Sequence, residues 1–382
     1  MCYNQIAMIY LDGAATSKLL PSVKTAMLAA MDADLGNASS LHSAGQRAKN
    51  LIEDARQKVA DLINADPAEI LFTSGGSESN NTVIHTFAEK TIATSAVEHP
   101  SVLEPTKKYA KSPLLLPVDE QGIVSPKNLP PADLYSVMFA NNELGTIEPI
   151  KQLAAKKPKN SFFHSDLTQA VGKTKLDVKT LGLDYATFSA HKIGGPVGIG
   201  ALFVKKGSPL TPLILGGHQE HGLRAGTYPT VQIAGFGAAA DFITKTHPWK
   251  IYKERVSLFR NYLASRILKE IPFSSLNTPL DHSLANILNV SFAAAEGESI
   301  QLYLDLKGNI IVSTGSACAS GDGKPSHVIM ATKNDAEIAH SSIRFSLDLE
   351  TTKEDIDKIM DLLPDIIKNL QSISTIKPKE QK

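Results

Sequence analysis

ILFTSGGSESNNT, residues 70–82, changes character twice within a few positions. Ile70-Leu71-Phe72-Thr73 is a short apolar run, the pattern of a buried strand. Ser74 to Asn81 is polar and carries two adjacent glycines, and a helical stretch follows from Thr82. Strand, Gly/Ser turn and helix N-terminus together make an anion site, because unpaired backbone N–H groups converge at the helix mouth. The Ser77 hydroxyl adds a donor. Ordinary N-capping by serine explains the same residues equally well.

The strand signal recurs at Ile92–Val97, Leu114–Val118, Tyr135–Ala140, Phe162–Ser165, Tyr185–Phe188 and Ile199–Val204, with helical or loop segments between most of them. Such alternation predicts an α/β fold, with an open, mainly parallel seven-stranded sheet and helices on both faces. Ligands bind such sheets at the carboxyl ends of the strands. The polar residues sit there: Glu98-His99, Asn141-Asn142, Asp166 with Gln169, and Ser189, His191 and Lys192.

The last group belongs to FSAHKIGGPVGIGA, residues 188–201. Its glycines let backbone approach a ligand closely, and its serine and histidine donate hydrogen bonds to anions. A lysine desolvated in such a pocket becomes a neutral amine at moderate pH. It then forms a Schiff base with an aldehyde, the way pyridoxal phosphate is held. The alternative is an ordinary surface lysine beside a Gly-rich turn.

Helices are expected from Pro21 to about Met31, over Gly45–Asn64, from about Ile251 to Ile271 and from Thr352 to about Leu370. After Trp249 the alternation gives way to strands near Ile287–Phe292, Ile310–Ser313 and Ile343–Leu347. The expected division is therefore a large domain over residues 14–250 and a smaller α+β domain of residues 1–13 and 251–382. The smaller domain contains Cys318 in a setting of Gly, Ser, Lys and Pro, an exposed composition for a residue usually buried. It also contains Arg344 in an apolar strand, where a buried guanidinium needs either an internal salt bridge or a substrate carboxylate.

Lys plus Arg and Asp plus Glu number 39 each, so no charge excess marks a nucleic-acid or membrane surface. No apolar run reaches the roughly 18–20 residues of a membrane span, and no signal-peptide pattern opens the sequence. The two cysteines, Cys2 and Cys318, argue against a disulfide framework and for a reducing, cytoplasmic setting. His218, Glu220 and His221 are a weak metal candidate, and no metal site is expected.

YLDGAAT (10–16), GNASSLH (36–42), FTSGGSESNN (72–81), NNELG (141–145), DLTQAVGK (166–173), SAHKIGGPVGIGAL (189–202), RAGT (224–227), STGSACAS (313–320) and AHSSIRFS (339–346) together resemble the cysteine desulfurases. These are pyridoxal-phosphate enzymes of the class V aminotransferase fold, fold type I. The likeness runs almost end to end. It implies that Lys192 carries the cofactor, that Asp166 faces the pyridinium nitrogen, and that Gln169 and Asn142 bond the ring hydroxyl side. It implies further that His99 stacks on the ring and moves protons. Gly76, Ser77, Ser189 and His191 would hold the phosphate, with Thr227 supplied by the second subunit of a homodimer. Asn37 and Arg344 would hold the carboxylate of L-cysteine, and Cys318 would accept its sulfur for delivery to a scaffold or sulfurtransferase. The long Gly-rich loop after Cys318 resembles the iron–sulfur-cluster and nitrogenase branch, and its composition predicts a segment from about Ala317 to Pro325 that is disordered or places Cys318 well away from Lys192 at rest. Ala190, His218 and His221 depart from the usual pattern, and the C-terminus is shorter than in relatives that dock a scaffold there. Selenocysteine lyase, or another enzyme of the same fold, is the alternative activity.

Overall fold

The computed structural model describes residues 8–314 and 324–378. The strands are β1 (Ile9–Tyr10), β2 (Ile70–Thr73), β3 (Thr91–Ser95), β4 (Ser112–Leu116), β5 (Leu134–Ser136), β6 (Phe162–Asp166), β7 (Tyr185–Ser189), β8 (Gly200–Val204), β9 (Ser274–Leu276), β10 (Ile287–Phe292), β11 (Ile310–Ile311) and β12 (Ser342–Ser346). The helices of ten residues or more are α1 (Pro21–Asp32), α2 (Ser43–Asp61), α3 (Gly76–Thr86), α4 (Pro100–Tyr109), α5 (Thr230–Thr246), α6 (Ser257–Glu270), α7 (Gly297–Gly308) and α8 (Lys353–Ile373).

Seven strands form the central sheet in the order β2-β8-β7-β6-β5-β3-β4. Neighbours from β4 to β7 pair in parallel, and β8 alone runs antiparallel, between β7 and β2. The mainly parallel α/β sheet expected from the alternation is the one observed. Side chains alternate across it with a period of two. Phe72, Phe163, Phe188 and Phe203 enter one core with Ile52 and Val59 of α2 and Phe236 of α5. Leu71, Tyr185 and Leu202 enter the other with Val83 and Ile84 of α3 and Val102 of α4. Burial on both faces explains why these strands read as continuous apolar runs.

Helix α5 was not foreseen. It is rich in Gly and Ala, with apolar residues on every side, so no helical stripe stands out. The composition has a packing reason. A Cβ on Gly237 would lie 2.7 Å from Ala55 Cβ, so the absent side chain lets α5 lie against α2. The expected helix 251–271 is interrupted. A π-helical turn, Tyr252–Val256, precedes α6.

A separate core gathers Ile9 and Leu11 with α6, α7, α8, β10 and β12. Here β12, β10 and β9 form a three-stranded antiparallel sheet, and β1 pairs in parallel with β11. Helix α8 opens on a capping box between Thr352 and Asp355. The chain leaves this core at Asp12, which bridges Ser346, and turns at once toward the large sheet.

Candidate active site

A cavity of about 500 Å³ lies at the carboxyl ends of β2, β3, β5, β6 and β7. Lys192 stands on its wall, on the single 3₁₀ turn that follows β7. Its Nζ donates to the Ala14 and Ala15 carbonyls, the latter at 2.7 Å. Its own carbonyl accepts from Ser17 Oγ at 2.9 Å and from Lys173 Nζ at 3.3 Å. Burial, with the Lys192 charge beside it, lowers the Lys173 amine to about 7. Burial and the two lysine charges likewise hold His191 down at about 4, so that ring is neutral.

Asp166 ends β6 with both carboxylate oxygens engaged, one by Asn80 Nδ2 at 2.8 Å and the other by the Thr168 N–H at 2.9 Å. Asn80 also donates to Ser101 Oγ at 2.9 Å, and that hydroxyl lies 2.7 Å from His99 Nδ1. A continuous hydrogen-bonded line thus joins Asp166 to His99. The Ser101 N–H donates to His99 Nδ1 at 3.1 Å, which places the proton of the neutral ring on Nε2. Burial keeps the His99 imidazole below its usual value despite the pull of Asp166.

Arg344 of β12 closes the opposite side and is 2% exposed. It donates to Asp12 Oδ1 at 2.7 Å and to the Asn142 carbonyl at 2.9 Å. The internal salt bridge considered from sequence therefore exists, and Arg344 borders the cavity as well. Below Asn142, buried Glu143 accepts from Ser326 Oγ at 2.5 Å. Next to Ser326, His327 Nε2 donates to the Glu98 carbonyl at 2.9 Å. Burial raises the carboxyls of Glu98 and Glu143 above their usual range.

The lining thus brings together Gly76, Ser77, His99, Asn142, Asp166, Gln169, Ser189, His191, Lys192 and Arg344. Asn37 and Thr227 are exposed and stand outside it; the Asn37 Oδ1 accepts from the Ser39 N–H at 2.9 Å. Cys318 and Cys2 lie outside the described residues. Glu220, weighed as a metal ligand, is instead buried against Arg56, with both oxygens 2.7 Å from its guanidinium.

Residues 9–359 match the class-V aminotransferase family. The chain is 44% identical to a cysteine desulfurase IscS of Dictyoglomus turgidum, over 97% of each protein. It is 41% identical to a cysteine desulfurase IscS of Methanosarcina thermophila, over 97% of this chain and 95% of that one. Among solved structures, a NifS-like protein superposes with a TM-score of 0.86 at 33% identity, covering 96% of this chain and all of its own. SspA in complex with cysteine gives 0.77 at 31% identity, over 89% of this chain and 99% of that one. The chain belongs to the class-V aminotransferase family, among its cysteine desulfurases.

Class-V aminotransferases of this kind depend on pyridoxal phosphate, and the cavity fits that group. A Cβ on Gly76, the first residue of α3, would lie 3.0 Å from Ser189 Oγ and 3.3 Å from Thr168 Oγ1. The bare Gly76 thus lets Ser189 Oγ come up to the helix mouth, where it accepts the Gly76 N–H at 2.8 Å, and gathers hydroxyls and helix N–H groups where an anion would sit. Buried Thr168 Oγ1 and Gln169 Oε1 have no partner among the described residues, so polar atoms are left over for a polar guest. Asn80, Ser101, Thr168, Glu143 and His327 were not singled out from sequence. Asn80, Glu143 and Thr168 lie inside the quoted runs SGGSESNN, NNELG and DLTQAVGK; Ser101 and His327 carried no signal, because they act through contacts that form only on folding.

Proposed function

We propose that this cavity is where the chain, as a cysteine desulfurase, converts L-cysteine to L-alanine and moves the sulfur onto Cys318. The observation that carries this reading is one cavity bordered by a buried arginine, an amine and an imidazole, with a doubly held carboxylate, Asp166, on the far side of the line to His99. Pyridoxal phosphate, when bound, supplies an electrophilic carbon for the substrate amine and a ring that draws electrons from the substrate Cα. Asp166 would face the ring nitrogen, Gln169 and Asn142 the ring hydroxyl. Gly76, Ser77, Ser189 and His191 would take the phosphate, with Thr227 from the partner subunit of a homodimer.

The chain's own residues then divide the work. Arg344 holds the substrate carboxylate in a fixed plane, and Asn37, which stands outside the cavity in this structure, would have to move in to join it. Lys192 Nζ takes the proton from Cα, and His99 Nε2, its proton placed by Ser101, serves the proton transfers on the sulfur side. The Cys318 thiolate attacks the substrate sulfur. A sulfur–sulfur bond forms, the Cβ–S bond breaks, and its electron pair stays on carbon to be protonated. L-Cysteine and an enzyme thiol become L-alanine and an enzyme persulfide, with no outside oxidant. We further propose the domain division at residues 14–250, a cytoplasmic setting, and a scaffold or sulfurtransferase acceptor for iron–sulfur-cluster assembly.

The test is to supply L-cysteine and a reductant to the cofactor-loaded protein and measure alanine and sulfide together. Equal amounts are expected. Cys318→Ser should still bind L-cysteine, seen as a change in visible absorbance, yet carry no extra sulfur by mass spectrometry. Sulfur found only on the Cys2 peptide of the wild type would reject this route. Selenocysteine as the strongly preferred substrate would favour the lyase alternative.

A further inference from the structure

Arg344 is buried on β12, and what surrounds it is more specific than a counter-ion. One terminal nitrogen donates to Asp12 Oδ1 at 2.7 Å and the other to the Asn142 carbonyl at 2.9 Å. Its Nε has no partner among the described residues, and the side chain borders the cavity. A guanidinium recognises a carboxylate in its own plane, through paired N–H donors. Anchoring each terminal nitrogen once, from the sides, fixes that plane and leaves donors unspent.

Asp12 is placed for this by the fold. It bridges Ser346, whose N–H donates to the Leu11 carbonyl at 2.7 Å. Arg344 and Ser346 are two residues apart on one strand and share a face. The turn after Asp12 is braced in its own right. Tyr10 OH donates to the Thr16 carbonyl at 2.8 Å, and Gln169 Nε2 to the Ala14 carbonyl at 2.9 Å. The same turn receives the Lys192 amine.

We propose that Asp12 is a positioning residue for Arg344, setting the guanidinium plane and with it the preference for amino acids over simple amines. This rests on the reading of Arg344 as the holder of the substrate carboxylate. The cofactor-loaded protein should be titrated with L-alanine and with ethylamine, a related amine without a carboxylate, following the visible absorbance. The wild type should prefer L-alanine, and Arg344→Gln should abolish the preference. Asp12→Ala should reduce it about tenfold, the scale of a lost charge-assisted hydrogen bond, through weaker L-alanine binding with ethylamine unchanged. Asp12→Asn keeps an oxygen acceptor and should restore most of it. Asp12→Glu keeps the charge but misplaces it and should not.

Several results overturn the proposal: an unchanged preference in Asp12→Ala, equal weakening of both ligands, or tighter L-alanine binding. Full preference in Asp12→Glu does so as well, since charge alone would then suffice, and this holds even if the alanine variant fails to fold. Preference surviving in Arg344→Gln is a separate result. It removes Arg344 from the carboxylate and takes the role of Asp12 with it.

Discussion

Glu148 shows how one residue ties pH to stability. It is buried, accepts the Val124 N–H through one oxygen at 2.9 Å, and has no partner for the other among the described residues. Burial pushes its carboxyl up to about 8, from an ordinary 4.5. Between those values the folded chain holds a proton that the unfolded chain has lost. Stability contributed by this residue is full below the unfolded value and falls as pH rises toward the folded one, by at most about 1.4 kcal/mol per unit. Glu148→Gln should therefore gain on the wild type steadily from pH 5 to 8 in melting temperature. A constant difference across that range would refute the assignment. At this scale the sequence was most readable where residue type and chemistry coincide. Lys192, Asp166 and His99 stand at strand ends, and the quoted motifs contain the first two. Glu148 and Lys173 were not readable, because only tertiary burial makes a charged side chain unusual.

Among elements, the loop of residues 214–228 is bolted to α2 and the edge strand β2 through a buried ion pair. Arg56 of α2 meets Glu220 at 2.7 Å and donates to the Ile70 carbonyl at 2.8 Å. Glu220 also accepts the Phe72 N–H at 2.9 Å. Glu220 and His221 both adopt left-handed backbone, φ 47° and 57°, a strained pair for residues other than glycine. The ion pair holds that turn in place. Removing one partner leaves the other charge buried, so Arg56→Ala should cost roughly 3–5 kcal/mol in a urea titration. Arg56→Met with Glu220→Leu should cost clearly less than the sum of the single changes, and strict additivity would show that the two do not act as a pair. A weak metal signal arose here because two histidines flank an acid; the acid's partner lies 164 residues away. Strands were readable to within a few residues because burial on both faces leaves an unbroken apolar run. Helix α5 was not, because its periodicity vanishes for the same reason.

At the scale of the whole molecule, large apolar side chains stand exposed on the loops that carry the proposed site. Leu41, Val197 and Leu215 are 93%, 71% and 82% exposed. A second copy covering them would account for their exposure and bring Thr227 to the neighbouring cavity. Leu215→Glu should shift sedimentation toward monomer and weaken cofactor retention together. Association without any change in cofactor affinity would separate the two. The change in pattern near Trp249 precedes the residues that build the separate core of α6, α7 and α8, whereas the crossing at Asp12 left no mark in the pattern. That crossing has a consequence for how the chain is made. β1 finds its partner β11 only about 300 residues later, and until then the turn that receives the Lys192 amine is held from the large sheet's side alone, through Gln169 and Lys192, with no strand beside β1 and no Ser346 for Asp12 to bridge. At about 5–20 residues per second of synthesis, the first residues of the site wait on the order of tens of seconds for the last. A nascent chain arrested before Ile310 should therefore carry a formed large sheet and still fail to keep its cofactor.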